Sequence, residues 1–471
     1  MKLKSSTLSA ESVRTGSFIP GAQDSLRRSR RASSRSVVIP RESVQHSVVF
    51  RQRRTFNWLV LGITYSAMYT GRYNLALANP LLSQAYGWDK MQMGGIITPA
   101  LFAYGIFAMF NGHLADRIGG RKAILIGSIG TVIFNFLFGL GAYLGFLGQG
   151  SYLIAYFASV WLLNSYFQSF AAVSVIKVNS AWFHVSERGV FSAIFGSMIQ
   201  MGRALVFFVG PVLTLFLPWQ GLFFAPSLVV LVMAAVAYFS VRNSPEDCGL
   251  EKLDVADASS GDTEPVTAGY ILRRIFMNPV TLMIALAEFC TGFVRQGFEQ
   301  WFPRYMLEVQ NFPMNSPIFQ RNAMAVIIAG ISGAVFAGSI SDLVFKGRRT
   351  PVAFMGYFIQ FICLGVIWKT QDPHWIALAF MGNSFAITVV HAMLSGTASM
   401  DFGGKKAAAT AAGFFDGMQY IGGSFVGLGM GWLLDRFGWV SWGPSMIGFS
   451  VVGMILMALL WNAQPKSMAR R

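Results

Sequence analysis

The chain has 471 residues, 54% of them hydrophobic and only 12% charged, with a mean hydropathy of +0.50 and a formal net charge of +16. Apolar stretches of about twenty residues recur from Trp58 to Trp461, and at about 1.5 Å rise per residue each is long enough to cross a roughly 30 Å hydrocarbon layer. A soluble enzyme is excluded; Cys248, Cys290 and Cys363 are too scattered for a disulfide framework or a metal site.

Residues 1–55 hold twelve Lys/Arg, three acids and twelve serines. They contain no apolar run that would serve as a secretory signal. Such a composition predicts a disordered basic tail. Its Arg27–Ser34 run (Arg-Arg-Ser-Arg-Arg-Ala-Ser-Ser) suits anionic lipid on a cytosolic surface, with a transit peptide for an organelle as the alternative.

Twelve apolar spans follow, starting near residues 57, 93, 123, 152, 190, 219, 280, 323, 351, 375, 407 and 439. Turn-rich segments separate them, such as Tyr86–Lys90, Pro218–Gly221 and Gln371–Pro373. The longest break divides the spans six and six. The expected organisation is therefore a tail (1–55), a six-helix bundle (56–242), a linker loop (243–278), a second six-helix bundle (279–462) and a short C-terminal tail (463–471). With both termini cytosolic, the inner segments carry 28 Lys/Arg against five in the outer gaps, Lys90, Arg304, Arg321, Lys369 and Arg436. This bias sets the expected orientation, and it accounts for the basic excess without nucleic acid as a partner.

An internal repeat joins the halves. Gly112-His113-Leu114-Ala115-Asp116-Arg117, ending in Gly120-Arg121-Lys122, recurs 226 residues later as Gly338-Ser339-Ile340-Ser341-Asp342, ending in Lys346-Gly347-Arg348-Arg349. Arg72 and Arg295 are offset by 223, each about fifteen residues into the first span of its half. Parallel six-span repeats are the plan of one large transporter architecture.

The Gly-x-Leu-Ala-Asp-Arg loop with its Gly-Arg-Lys resembles the signature of the major facilitator superfamily. Further segments resemble its organophosphate:phosphate antiporters, the family of glycerol-3-phosphate and hexose-phosphate transporters. They are Arg72–Pro80, Glu187-Arg188-Gly189, Arg295 with Trp301 and Pro303, and Lys405–Phe414. The resemblance covers roughly residues 56–460. It implies an all-α membrane protein of twelve transmembrane helices in two pseudo-symmetric bundles. It also implies exchange of an organic phosphate for inorganic phosphate by alternating access, with Arg72 and Arg295 holding the phosphate in the central cavity. The glycerol-3-phosphate transporters of that family place a histidine, a lysine and an acid where this chain has Ile199, Ala108 and Ile327, whereas Asp416-Gly417 resembles the sugar-phosphate exchangers of eukaryotes.

An intramembrane arginine costs several kcal/mol unless it is paired, snorkels or lines water. Guanidinium offers phosphate a planar fork of donors and stays charged. Two readings of Arg72 and Arg295 follow: a phosphate clamp, or pairing with buried acids. Arg203, near mid-depth in the fifth span, is either a third anion contact or, as expected here, an ion-pair partner of Glu288 or Asp416. Lys177 is expected to snorkel. Glu288 and Glu299, eleven residues apart on one helix face, serve as proton carriers or as counter-charges. Tyr73, Tyr104, Gln200 and Tyr420 join the candidate substrate site, ahead of Tyr69, Trp161 and Trp182. In the superfamily the loop residues Gly112, Asp116, Arg117, Arg121, Asp342 and Arg348 form a cytosolic gate.

No phosphate-binding Gly-Lys-Ser/Thr loop, nucleophile elbow or metal-ligand cluster occurs. No cofactor is expected, and coupling falls to a second solute. The expected partners are a small anionic solute, inorganic phosphate and membrane lipid, with the chain working as a monomer in the cell membrane. A transporter-like sensor of a sugar phosphate and a proton-coupled symporter of another organic anion are the competing readings.

Overall fold

The computed structural model describes residues 46–145, 150–183, 188–251, 253, 276–345 and 348–462. Among these there is no β-strand. In order, the helices are α1 (Val48–Tyr86), α2 (Lys90–Ile118), α3 (Gly120–Leu140), α4 (Ser151–Gln168), α5 (Phe170–Trp182), α6 (Arg188–Phe216) and α7 (Gly221–Ser240). They continue with α8 (Pro279–Glu308), α9 (Pro317–Leu343), α10 (Thr350–Lys369), α11 (Pro373–His391), a π-helical turn (Ala392–Ala398), α12 (Ser399–Phe437) and α13 (Trp442–Leu459). The chain is an all-α membrane protein. Seven described helical segments are long and apolar enough to cross a bilayer by length and composition. Two that fall short, α1 and α8, carry Arg72 and Glu288, Arg295, Glu299 and Arg304.

Local chemistry sets the helix ends. Ser47 caps α1 by accepting from the Phe50 N–H at 3.2 Å, and Gly87 closes that helix in the left-handed region at φ 68°. Asp89 and Gln92 form a reciprocal capping box on α2. Asn278, Ser316 and Asp372 cap α8, α9 and α11, each followed by proline in the first helical turn. Two expectations shift. α1 begins at Val48, inside the segment read as tail, and the predicted fourth span is two helices. Ser169 makes the joint between α4 and α5. Its hydroxyl donates back to the Tyr166 carbonyl at 2.6 Å and accepts from Asn111 Nδ2 at 2.7 Å, so a side chain competes with the helical ladder there.

The surface is inside-out relative to a soluble protein. Leu343 (83% exposed) and Phe216 (80%) face outward. Asn74, Asn135, Asn164, Gln168, Gln360, Asn383 and Gln419 are buried. Hydrocarbon solvates apolar groups, so the polar ones turn inward to find partners.

The sequence repeat reappears in the packing. α1 lies on α6 and α7 as α8 lies on α12 and α13; α2 meets α4 as α9 meets α11; α3 meets α7 as α10 meets α13. Between the halves, α2 against α12 is the most extensive meeting, with α1 on α8 and α6 on α9. Backbones touch along α2 and α12: a Cβ at Gly94 would lie 2.1 Å from the Gly427 carbonyl oxygen, and one at Gly431 would lie 2.5 Å from that of Lys90. Thr98 Oγ1 bridges the same seam, donating to the Ser424 carbonyl at 2.7 Å and accepting from the Leu428 N–H at 2.8 Å.

Arg117, Arg121 and Arg348 mark one end of the bundle, its basic end. The other end is tied across the halves. Lys90 Nζ lies 3.2 Å from Glu308, and the Asp435 carboxylate accepts from the Lys90 and Met91 N–H groups at 3.1 and 2.6 Å. Arg304, counted from sequence among the outer gaps, is instead buried in the last turns of α8. It bonds Glu308, Asn79 and Ser83. Breaking such a pair would leave a buried charge uncompensated, which is strongly destabilising.

Candidate functional site

Arg72 stands on α1, where the backbone is pinned by buried amides. Asn135 and Asn164 each donate to the Gly71 carbonyl at 3.0 Å, Asn135 also donates to Asn164 Oδ1 at 2.9 Å, and Asn74 Nδ2 donates to Asn135 Oδ1 at 2.8 Å. Sequence reasoning passed over Asn135 and Asn164. Their signal was an amide in the middle of each of two apolar spans. Asn135→Ala strands its partners, at a cost of about 1–3 kcal/mol. A fall of several degrees in the Tm of purified protein is the expected readout, and an unchanged Tm would refute the pinning role.

The Arg72 guanidinium is held by neutral groups. Nε and Nη2 donate to Gln168 Oε1 at 3.2 and 3.1 Å, Nη2 also reaches the Gln168 carbonyl, and Nη1 lies 3.4 Å from the Tyr420 hydroxyl. It sits over two ring faces, 4.5 Å from the Tyr69 centroid and 4.7 Å from that of Tyr104. Tyr104 and Tyr420 pack at 4.0 Å between centroids, one from each half. Among the described residues no carboxylate pairs with Arg72. A cavity of about 20 Å³ beside it is lined by Tyr73, Trp161, Ser165, Gln296 and Gln300 together with Tyr104 and Tyr420.

Arg295 is different. It pairs with Glu299, one turn along α8, at 3.3 Å, and donates to Gln419 Oε1 at 2.7 Å and toward the Tyr73 hydroxyl at 3.4 Å. Glu299 accepts twice from the other half, from Arg203 Nη2 at 2.9 Å and from the Tyr73 hydroxyl at 2.9 Å. Arg203 thus forms an ion pair across the halves, but with Glu299 rather than Glu288 or Asp416. Gln200 lies under Arg203, accepting from its Nη1 at 3.2 Å.

Glu288 is fully buried and joins the cluster through Gln419, whose Nε2 donates to it at 2.8 Å. Gln419 also contacts His391 Nδ1 at 2.8 Å, and that nitrogen lies 3.9 Å from Glu288. Gln419 and His391 were missed from sequence. Each stands beside a residue or turn of the site, next to Tyr420 and at the start of the π-helical turn. Asp416, one turn before Tyr420 on α12, is half-buried and makes no ion pair among the described residues. Of the lower-ranked aromatics, Tyr69 and Trp161 belong to the site. Trp182 does not: its indole N–H donates to the Arg242 carbonyl at 3.1 Å, away from Arg72.

At the basic end, Gly112 is half-buried on α2 and Arg117 is exposed. The Arg121 guanidinium donates to the Tyr238 carbonyl and lies over the Tyr238 ring, and its backbone N–H donates to Asn243 Oδ1 at 2.8 Å. Arg348 is half-buried, with its carbonyl accepting from Ser341 Oγ at 3.4 Å. The Asp116 and Asp342 side chains lie outside the described residues, as do those of Arg188 and Lys405–Thr410, the 1–45 stretch with its Arg27–Ser34 run, Glu187, linker residues 254–275 and residues 463–471.

Residues 61–427 match the sequence profile of the Major Facilitator Superfamily. The chain is 29% identical to the glycerol-3-phosphate transporter of Bacillus subtilis (strain 168), over 88% of this chain and 93% of that one. It is 25% identical to a probable hexose phosphate transport protein of Chlamydia trachomatis (91% and 95% covered). It is 24% identical to the membrane sensor protein UhpC of Salmonella typhimurium (89% and 95%). Among solved structures, a bacterial homologue of the human lysosomal transporter Spinster superposes with a TM-score of 0.68 at 13% identity, covering 88% of this chain and 95% of that one. With the profile spanning most of the chain and the helical packing repeated in each half, this membrane protein belongs to the Major Facilitator Superfamily.

Proposed function

We propose that the protein carries an organic phosphate of the sugar-phosphate or glycerol-phosphate type across the membrane by alternating access, exchanging it for inorganic phosphate. The observation that carries this reading is Arg72, a guanidinium at the junction of the halves, held by amides, a hydroxyl and ring faces and paired with no acid among the described residues. A phosphate supplies the charge that these partners lack and accepts a forked pair of N–H donors. Arg295, from the other half, is the second contact. It adds its guanidinium when Glu299 yields, so that substrate draws α1 and α8 together. The names of the two transporter relatives agree with this chemistry.

Counterflow in proteoliposomes tests the reading. Purified protein in phosphate-loaded vesicles is expected to take up labelled glycerol 3-phosphate or hexose phosphate, and to do so several-fold faster than vesicles in which sulfate replaces the internal phosphate. Uptake driven by a proton gradient with no internal phosphate would favour a symporter instead. A second reading, a membrane sensor of a sugar phosphate, draws on the UhpC relative. It is favoured if the vesicles bind the phosphate compound but do not accumulate it.

The orientation follows from the basic excess: the basic end, both termini and the linker face the cytosol. Asn315, exposed in the loop before α9, then faces outward. Asn315→Cys is expected to react with an impermeant maleimide on intact cells, and reaction only after the cells are opened would invert the topology.

A further inference from the structure

Alternating access requires a return step, and a carrier limited to strict exchange is one that cannot make that step without substrate. The usual obstacle is electrostatic. Guanidinium groups on facing halves lose water as the halves meet, and uncompensated charge in that setting is strongly disfavoured.

This chain carries its own compensation. Glu299 sits one turn from Arg295 on α8, so the Arg295 charge is balanced inside its own half. The same carboxylate accepts from Arg203 and from Tyr73 of the other half, both at 2.9 Å. All three charged side chains are close to buried, at 11% exposure for Arg203, 11% for Arg295 and 4% for Glu299. A second carboxylate, Glu288, reaches Arg295 through the Gln419 amide. Both guanidiniums thus meet the Glu299 carboxylate directly, with Glu288 behind the Gln419 amide, and every partner is supplied by the protein. Arg72, which pairs with no acid among the described residues, is wrapped by the faces of Tyr69 and Tyr104, which solvate a cation without water.

We infer that exchange is not obligatory in this transporter: the Arg203–Glu299–Arg295 cluster, locked by Tyr73, lets the halves close with no substrate anion bound, so the protein also moves phosphate compounds one way. The inference rests on the phosphate reading above. Substrate and Glu299 compete for Arg295 in turn, so the carboxylate is the stand-in that substrate displaces.

The test separates the two claims. Full-length protein is placed in vesicles preloaded with labelled inorganic phosphate, and efflux is followed with and without unlabelled phosphate outside. For the wild type, efflux into phosphate-free buffer is expected to run within about tenfold of the exchange rate. Glu299→Gln removes the counter-charge, and the ratio of net efflux to exchange is expected to fall a further tenfold or so, with Glu299→Asp recovering most of it. Because the readout is a ratio within each preparation, a loss of properly inserted protein does not move it. Wild-type efflux that needs external phosphate, or a ratio unmoved by Glu299→Gln, overturns the inference and leaves the phosphate exchanger standing. Absence of both modes in the wild type overturns the exchanger and this inference together.

Discussion

Arg72→Lys is expected to weaken phosphate binding by roughly thirtyfold or more, a loss of about 2 kcal/mol or greater. Arginine uses three of its nitrogens here, on Gln168 and Tyr420, while its flat face stacks on Tyr69 and Tyr104. An ammonium keeps the charge but cannot stack between rings, hold Gln168 and present a fork to phosphate at once. Arg295→Lys should be milder, because a lysine one turn from Glu299 still forms an ion pair on α8. Binding of labelled organic phosphate to purified protein, competed by inorganic phosphate, measures both. Wild-type affinity in Arg72→Lys, or binding indifferent to inorganic phosphate, would remove the organophosphate assignment and leave a superfamily transporter of unknown substrate.

Gly94→Ala is expected to abolish most transport without unfolding the protein. The added methyl would sit 2.1 Å from the Gly427 carbonyl oxygen, and a backbone atom cannot swing aside as a side chain does. α2 and α12 must separate, breaking the Thr98 bridge to Ser424 and Leu428. Overpacking of this kind costs about 1–3 kcal/mol. The cost falls on the arrangement with this seam closed and not on one with it open. A shift of that size is about 5- to 150-fold in the balance of the two states. Gly95→Ala is the control, since its nearest neighbour is Leu428 Cδ2 at 3.9 Å. The readouts are transport and labelling of Ser83→Cys, which lies by Arg304 at the end opposite the basic loops. Gly94→Ala should raise labelling and lower transport, and Gly95→Ala should do neither. Equal behaviour of the two variants would mean that the seam does not gate access.

The sequence alone carried the membrane class, the repeat and the two arginines. Hydropathy over about twenty residues is a local property, and a guanidinium in the middle of an apolar run is conspicuous because burying it is costly. Caps were local as well: Asp89 with Gln92, and Asp372 before Pro373, are legible as they stand. Partnership was not. Glu299 meets Tyr73 across 226 positions of chain, and Arg72 meets Tyr420 across 348. Which face of α6 turns toward α8 depends on helix packing, so Arg203 was assigned to Glu288 or Asp416 when its partner is Glu299. Arg304 read as a loop residue because a charge near a span end usually snorkels to water. In the fold it is enclosed by Asn79, Ser83 and Glu308. Composition and period determine which segments lie in the membrane, because each residue's transfer energy is its own. The distinction between the arginine held by neutral groups and the one paired with an acid belongs to tertiary structure, since a buried charge is settled by whichever helices bring a counter-charge within about 4 Å.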